Sequence, residues 1–204
     1  MALPATVAVY LDYENMHRTG HDLFGRDGER PYDTVLDPLE IARRLIAKRH
    51  RPSHLEIVRV FRGRPVPERQ PKPASKNDQQ VAAWEASDPR VEVVQRDLKY
   101  VELDGGAVVP REKGIDVALA ISLVEDSIWG SYDVAIVFSG DTDLIPALEL
   151  AFRRTSVHLE IASWAGRPPL WFADELRATP PRMLPYCHYL EERDFRESRD
   201  ASVR

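Results

Sequence analysis

Short apolar runs alternate with helical patterns along most of this 204-residue chain. The runs are rich in Val, Ile and Leu and lack polar alternation, which is typical of strands that are covered on both faces. Strands that alternate with helices indicate βαβ units, right-handed crossovers and a parallel sheet. We therefore predict an α/β fold built as a three-layer sandwich. The predicted strands are residues 6–11, 55–61, 91–95, 134–138 and 157–162.

Helices are predicted between these strands. Asp37 and Pro38 mark the start of one helix, whose apolar stripe lies opposite several basic residues. Four prolines within residues 62–73 predict an exposed basic loop, and the glycine-rich sequence at 104–106 predicts the turn of a small hairpin over residues 100–109. The other predicted helices are residues 75–86, 115–129, 144–154 and 170–177.

Acidic residues are concentrated where the predicted strands end. Asp12 directly follows the first strand, Asp141 and Asp143 follow the strand at 134–138, and Asp116 lies in the first turn of a helix. Parallel strands end at one edge of a sheet and crossover helices begin there, so these carboxylates should converge. A divalent cation would relieve their repulsion, and Mg²⁺ or Mn²⁺ prefers such oxygen ligands. The pattern predicts a metal-dependent nuclease.

These residues also have structural interpretations. In the structural interpretation, Asp141 or Asp143 is simply the N-cap of a helix, and Asp116 is simply a first-turn acid that stabilises a helix dipole. Asn15 either orients Asp12 or holds a metal-bound water, and a turn-forming asparagine is an equal alternative. Because all these residues are expected at the same edge of one sheet, a shared functional site is favoured over separate structural roles.

The predicted chemistry is hydrolysis of a phosphodiester bond. A metal ion held by carboxylates of this cluster would polarise the phosphate and lower the pKa of the attacking water. Asp143 would orient that water or act as a general base. Lys113 either neutralises charge at the scissile phosphate or is a surface lysine at the start of a helix.

Basic residues are concentrated in one part of the chain. The net charge is −5, yet residues 43–76 carry eleven Lys and Arg against two Glu. Such a stretch beside a carboxylate cluster suits an enzyme that grips the phosphates of its substrate away from the point of cleavage. The alternative is that the charges solvate the outer faces of a helix and a loop. We expect the phosphates of the substrate to contact Arg62, Arg64, Arg69, Lys72 and Lys76.

Length and composition favour one compact domain over residues 1–180, followed by a partly disordered charged extension over residues 181–204. No apolar run approaches the roughly 20 residues that span a bilayer, so we expect a soluble cytoplasmic protein without membrane contact. Cys187 is the only cysteine, which excludes an intramolecular disulfide and a Cys/His zinc framework around it. Trp164, Trp171 and Phe172 are expected to be core residues or contacts of a homodimer.

Three motifs occur in order along the chain, at residues 12–15, at residues 113–120, and at residues 132–143 with the sequence Ser-Gly-Asp-Thr-Asp at their end. Together they resemble the NYN domain family of the PIN-like ribonuclease superfamily, over about residues 7–162. The resemblance implies a Rossmann-like parallel sheet, dependence on Mg²⁺ or Mn²⁺, and RNA as the substrate. It also implies roles for individual residues, with Asp12, Asp116 and Asp141 as metal-site carboxylates, Asp143 as a further acid, and Asn15 and Ser139 as polar supports.

One position departs from the pattern of that family. Relatives commonly carry an Asp six positions after the one at Asp116, where this chain has Ser122. Asp126 is a poor substitute, because ten residues of helix rise by about 15 Å, and we expect it to be solvated. The number of metal ions and the full catalytic strength are therefore open.

Two functions from other classes are alternatives. A phosphohydrolase of the haloacid dehalogenase type also uses an Asp after its first strand, but it needs a second Asp where this chain has Glu14. The longer side chain would misplace the general acid. A catalytically weak RNA-binding or partner-binding module of the same fold is favoured by Ser122 and by the net negative charge.

Overall fold

The computed structural model of the protein describes residues 3–170 and 185–200. The strands within these ranges are Ala5–Asp12 (β1), Ser53–Arg64 (β2), Val91–Asp97 (β3), Lys99–Glu102 (β4), Val108–Arg111 (β5), Val134–Phe138 (β6), His158–Trp164 (β7) and Tyr186–Leu190 (β8). Six of them form one sheet in the order β3-β2-β1-β6-β7-β8, and every neighbouring pair is parallel. The predicted parallel sheet is confirmed.

Helices connect the strands and cover both faces of the sheet. They are Tyr13–Phe24 (α1), Pro38–Ala47 (α2), Pro71–Ser87 (α3), Ile115–Trp129 (α4), Ile145–Arg154 (α5) and Glu192–Glu197 (α6). Short 3-10 turns lie at Pro31–Asp33 and Thr142–Leu144. α2 begins as predicted, because the Asp37 carboxylate accepts hydrogen bonds from the backbone N–H groups of Leu39 and Glu40.

The central strand β1 contributes to two hydrophobic cores. Val7, Val9 and Leu11 pack on the face that is covered by α1, α2, α3 and α6, whereas Ala8 and Tyr10 pack on the face that is covered by α4 and α5. All five side chains are fully buried, which explains the apolar run without polar alternation. The three-layer α/β/α sandwich is thereby confirmed.

The order of the strands reverses next to β1. From β1 the chain builds outwards to β2 and β3 on one side, then returns to β6 on the other side and continues to β7 and β8. In open parallel sheets, ligands bind in the crevice at such a switch point, beyond the carboxyl ends of the strands. Leu11 pairs with Phe138 across β1 and β6, so Asp12 and Ser139 are the next residues at this point.

The prediction of an exposed loop over residues 62–73 is wrong. β2 continues to Arg64, because it stays paired with β3 as far as Asp97, and α3 already begins at Pro71. Prolines in the first turn of a helix are tolerated, since the N–H groups there have no helical acceptor. Only the short connection between Arg64 and Pro71 is neither strand nor helix.

Residues 191–200 of the charged extension predicted over residues 181–204 are ordered and include α6. Phe195 on α6 is fully buried against Trp164 and Phe24, with ring centroids 5.7 and 5.8 Å apart. The charged neighbours of Phe195 are paired, as Asp194 is with Arg44. The charged composition of this segment therefore gives no sign that one aromatic side chain, Phe195, anchors α6 in the core. The edge strand β8 and the first helix, α1, were not predicted from the sequence.

The hairpin of β4 and β5 is confirmed, with Lys99 paired to Arg111. It is fastened to the connection between β2 and α3, because the Tyr100 hydroxyl donates to Gln70 and accepts from the N–H of Val66. The predicted helix over residues 170–177, the side chains of Trp171 and Phe172 and the predicted domain boundary at residue 180 lie outside the described residues. In the described ranges, no helix has both the length and the apolar composition to cross a membrane.

Candidate active site

Asp12 lies at the centre of the site. It is the last residue of β1 and the N-cap of α1, and only 3% of its surface is exposed. Its carboxylate accepts a hydrogen bond of 2.7 Å from the hydroxyl of Ser139 and a longer one, of 3.4 Å, from the backbone N–H of Asn15. The strand end thus holds a buried carboxylate in a fixed orientation.

The segment after β6 is joined to Asp12 through Ser139. The backbone N–H of Asp141 donates to the Ser139 hydroxyl over 3.0 Å, and the N–H of Asp143 donates to the Asp141 carboxylate over 2.9 Å. Asn15 accepts a hydrogen bond from the N–H of Gly140 over 2.9 Å. A chain of hydrogen bonds therefore connects Asn15, Ser139, Asp141 and Asp143 to Asp12, at the predicted edge of the sheet. Asp141 also caps the turn at Thr142–Leu144, so its structural interpretation holds as well.

Asp116 approaches from α4, where it lies in the first turn. Partial burial raises the pKa of its carboxyl, and the negative charges of Asp141 and Asp143 raise it further. Gly114 precedes α4 with a φ of +80°, a conformation that favours glycine. Lys113 is exposed, and within the described residues it forms no hydrogen bond or ion pair.

Glu112 is a further acidic residue of this edge that was not predicted from the sequence. The backbone N–H of Gly63 donates to its carboxylate over 2.6 Å. A side chain at position 63 would meet Leu98 first, and its Cβ atom would lie 2.8 Å from the Glu112 carboxylate oxygen. Burial raises the pKa of Glu112, as does the charge of Glu14. Glu112 follows the hairpin directly, in a segment without helical or strand periodicity, so only the glycine at the end of β2 hinted at a close approach.

The electrostatics of the site favour a bound cation. Burial is the main cause that raises the pKa of Asp12 to about 7, the charges of Asp116 and Glu112 raise it further, and the hydrogen bonds from Ser139 and Asn15 oppose this. A nearby divalent cation would reverse this effect by stabilising the ionised carboxylate. In the ranges that the structure describes, no three His, Cys, Asp or Glu side chains converge closely enough to form a ready metal site. The donor set, which consists of carboxylate oxygens, suits Mg²⁺ or Mn²⁺.

The five basic residues predicted to contact RNA do not lie on one loop. Arg62 is buried at the end of β2, and Arg64 forms an ion pair with Asp78 at 2.6 Å. Arg69 is exposed in the connection between β2 and α3, and Lys72 and Lys76 are exposed on α3. Of the five residues, one is therefore a buried arginine, one is an arginine in an ion pair, and three are exposed cations.

The structure also shows the surroundings of Ser122, which departs from the family pattern, and of Asp126 and Glu14. Asp126 is not solvated as predicted, because its carboxylate accepts a hydrogen bond of 2.6 Å from Tyr10 and pairs with Arg59 at 3.0 Å. These partners lie on strands β1 and β2, so Asp126 helps to dock α4 onto the sheet. Ser122 is half-buried, and Glu14 pairs with Arg18 at 3.1 Å.

Comparisons with known proteins agree with this geometry. The family model of the NYN domain matches residues 6–186. A crystal structure of a protein of unknown function from Vibrio parahaemolyticus has a similar fold, with a TM-score of 0.52 and 13% sequence identity over 94% of this chain and 96% of that chain. None of the curated proteins matches the sequence. Because the family model covers most of the residues, the chain belongs to the NYN domain family, a PIN-like family of the ribonuclease type.

Proposed function

We propose that this protein is a metal-dependent ribonuclease that hydrolyses phosphodiester bonds of RNA at the carboxyl edge of its parallel sheet. The observation that carries the proposal is the buried Asp12 carboxylate at the switch point of the sheet, fixed by Ser139 and subject to the negative charges of Asp116 and Glu112. Burying a carboxylate among like charges is costly, and a cation that binds there offsets the cost. Family membership independently supports a nuclease-type function that is related to RNA.

Asp12, Asp116 and Asp141 would hold Mg²⁺ or Mn²⁺, with Glu112 as a further carboxylate close to Asp12. The ion would supply Lewis-acid stabilisation of the charge that develops on the phosphate. Because these carboxylates do not already converge, the side chains on α4 and after β6 would have to turn towards Asp12 when the ion binds. Ser139 and Asn15 keep Asp12 in place while this happens.

The remaining site residues would act on water and on the substrate. Asp143, which is exposed beside Asp141, would accept the proton of the attacking water or orient it. Lys113 would neutralise charge at the scissile phosphate from the start of α4. The exposed cations Arg69, Lys72 and Lys76 would track the backbone of a single-stranded RNA, which supplies affinity without sequence readout.

A phosphohydrolase of the haloacid dehalogenase type is disfavoured, because Glu14, at the position of its general acid, has the longer side chain and pairs with Arg18. A catalytically weak binding module of the same fold is the second candidate. It is favoured by Ser122 at the position of the further family carboxylate and by the carboxylates that do not converge.

Cleavage of a labelled single-stranded RNA in Mn²⁺, in Mg²⁺ and in EDTA separates these two functions. A ribonuclease cuts the RNA in at least one metal, loses activity in EDTA and loses it in the Asp141→Asn variant. A binding module retains the RNA without cutting it in any of these conditions.

Two properties of the protein in the cell are also proposals. We place it in the cytoplasm, because a chain with a single cysteine has no need of an oxidising compartment. A homodimer would use the outer face of α4, where Val117, Ile121 and Ile128 are exposed. Sedimentation analysis of the purified protein tests the second proposal.

A further inference from the structure

A groove of about 490 Å³ opens beside the carboxylate cluster. Its polar lining includes Arg18 of α1, Arg62 at the end of β2 and Arg111 at the end of β5. Its apolar lining includes Pro65, Leu98 and Val109, the last from the hairpin. We call it the Arg62 groove. Glu112 belongs to the same lining and links the groove to Asp12.

Arg62 differs from the other two arginines of this groove because its side chain is buried. Only 9% of this residue is exposed, and its guanidinium lies over the rings of Tyr13 and Trp84, at 4.8 and 5.2 Å from their centroids. One of its terminal nitrogens donates to the neutral side chain of Gln80, and the other lies 3.9 Å from Glu14. Its Nε atom is buried and has no hydrogen-bond partner. A buried cation of this kind is costly unless an anion is close.

Other buried or half-buried arginines of this protein are paired more fully. Arg49 forms two hydrogen bonds with the Glu160 carboxylate, at 2.8 and 2.9 Å, and Arg64 forms two with Asp78, at 2.6 and 2.8 Å. Arg62 has no comparable carboxylate, although it lines an open groove. The difference indicates that an anion from outside the chain completes its environment.

The charges and the size of the groove indicate which anion this is. Arg18, Arg62 and Arg111 outnumber the acidic side chains of Glu14 and Glu112. The volume lies within the range of about 300–1,000 Å³ that is common for small-molecule sites. Three basic side chains suit a phosphate, and the apolar wall of prolines, leucine and valine suits the face of a base. Together these features match one nucleotide.

We infer that the Arg62 groove binds one nucleotide of the RNA strand next to the scissile phosphate, with the phosphate on Arg62 and Arg111 and the base against Leu98 and Val109. This inference rests on the proposed function, because RNA is the substrate that brings a nucleotide to this edge of the sheet. It adds a subsite to the exposed cations Arg69, Lys72 and Lys76, and it gives the hairpin of β4 and β5 a role in binding the substrate.

Binding measured without cleavage tests the inference. The full chain in EDTA is titrated into a fluorescein-labelled six-nucleotide single-stranded RNA, and anisotropy is recorded at several salt concentrations. Arg111→Glu should weaken binding by about tenfold and reduce the salt dependence by at least about 0.7 in log–log slope, which is the loss of one phosphate contact to a single strand. Arg62→Gln should weaken binding as well. Arg51→Glu is the matched control, because Arg51 is exposed before β2, at the opposite edge of the sheet.

The outcomes separate this inference from the proposed ribonuclease activity. Unchanged binding by Arg111→Glu and Arg62→Gln, or equal weakening by Arg51→Glu, overturns the groove even if the metal-dependent cleavage is intact. Because Arg62 is buried, its variant is compared with wild type by thermal unfolding, whereas Arg111 is exposed and its variant should fold normally. AMP should displace the RNA at lower concentration than inorganic phosphate, and equal displacement by both refutes the contact with the base.

Discussion

The buried cluster around Glu160 gives a stability prediction that can be worked out from the structure. The Glu160 carboxylate on β7 accepts two hydrogen bonds from Arg49 and lies 2.7 Å from Nε2 of His188 on β8. The side chains of Arg49, Glu160 and His188 are 5%, 6% and 2% exposed. The cluster therefore joins the segment after α2 to the outermost two strands, β7 and β8.

The size of the contribution of this cluster to the free energy of unfolding follows from the pKa of Glu160. Burial alone would raise this pKa, but the hydrogen bonds from His188 and Arg49 and their charges outweigh it and lower the pKa from 4.5 to about 2. At 1.36 kcal/mol for each pH unit, the ionised carboxylate contributes about 3 kcal/mol to the free energy of unfolding. Because the pKa is lower in the folded state, this contribution is present above about pH 4.5 and is lost as the pH falls towards about 2.

Glu160→Gln removes the carboxylate and keeps its shape. It should lower the free energy of unfolding at pH 7 by about 3–5 kcal/mol, because Arg49 is left buried without its partner. Urea titrations followed by tryptophan fluorescence, at pH 7 and at pH 3, measure the effect. The difference between wild type and variant should shrink at pH 3, where the wild type has begun to lose the same interaction.

Glu192→Gln is the control for this prediction. Glu192 pairs with Arg196 on the surface of α6, and exposed pairs of this kind are worth about 1 kcal/mol or less. A Glu160→Gln variant that loses no more stability than Glu192→Gln, or whose deficit is the same at both pH values, would refute the reasoning.

Three further predictions concern the core and the site. Phe195→Ala should cost about 3–5 kcal/mol in the free energy of unfolding, as expected for a fully buried aromatic ring, and a loss below 1 kcal/mol in urea titrations would show that α6 does not belong to the core. Ser139→Ala removes a donor that lowers the pKa of Asp12, so in the metal-free protein that pKa should rise above about 7, as measured by carboxyl ¹³C NMR, and an unchanged or lower value contradicts the hydrogen bond. Gly63→Ala should cost about 1–3 kcal/mol in the free energy of unfolding by overpacking, because the new Cβ atom meets Leu98 and the Glu112 carboxylate; Glu112→Gln, which leaves Leu98 in place, should lower the rate of RNA cleavage, and normal activity of that variant would exclude Glu112 from the site.

The part of the chain that forms α4 and β6 could be predicted from simple sequence patterns. The bounds of α4 and β6 agree with their predicted ranges, because both segments are long or strongly apolar and have clear ends at Gly114, Gly130 and Phe138. The placement of Asp12 and Asp141 at the same edge of the sheet required no contact information. It follows from the rule that parallel strands end at one edge of the sheet.

Other features depend on tertiary contacts that a single sequence does not display. β8 is short and aromatic, and it is a strand because β7 offers it a paired edge. α6 is highly charged, and it is ordered because Phe195 enters the core between Trp164 and Phe24. The partners of Asp126 lie more than 60 residues away along the chain, so its pairing with Tyr10 and Arg59 could not be read from helix periodicity.

The buried position of Arg62 illustrates the same limit for the site. Prolines after Arg64 suggested a loop, whereas the parallel pairing with β3 keeps Arg62 in a strand. Its guanidinium then lies over the rings of Tyr13 and Trp84, which come from two different helices. Local composition could indicate a basic residue near the substrate, but it could not indicate a buried cation in a groove.

The central claim is that the Asp12 carboxylate binds the catalytic metal, and the most direct test is a comparison of single-turnover rates. Wild type, Asp12→Asn and Asp22→Asn are each mixed in excess with a labelled single-stranded RNA at saturating Mn²⁺. Asp22 is an exposed aspartate on α1, the same helix that Asp12 caps, and it serves as the matched control. We expect Asp12→Asn to cut at least about 100-fold more slowly than wild type, as for the loss of a metal ligand, and Asp22→Asn to match wild type. Equal rates for wild type and Asp12→Asn would contradict the account.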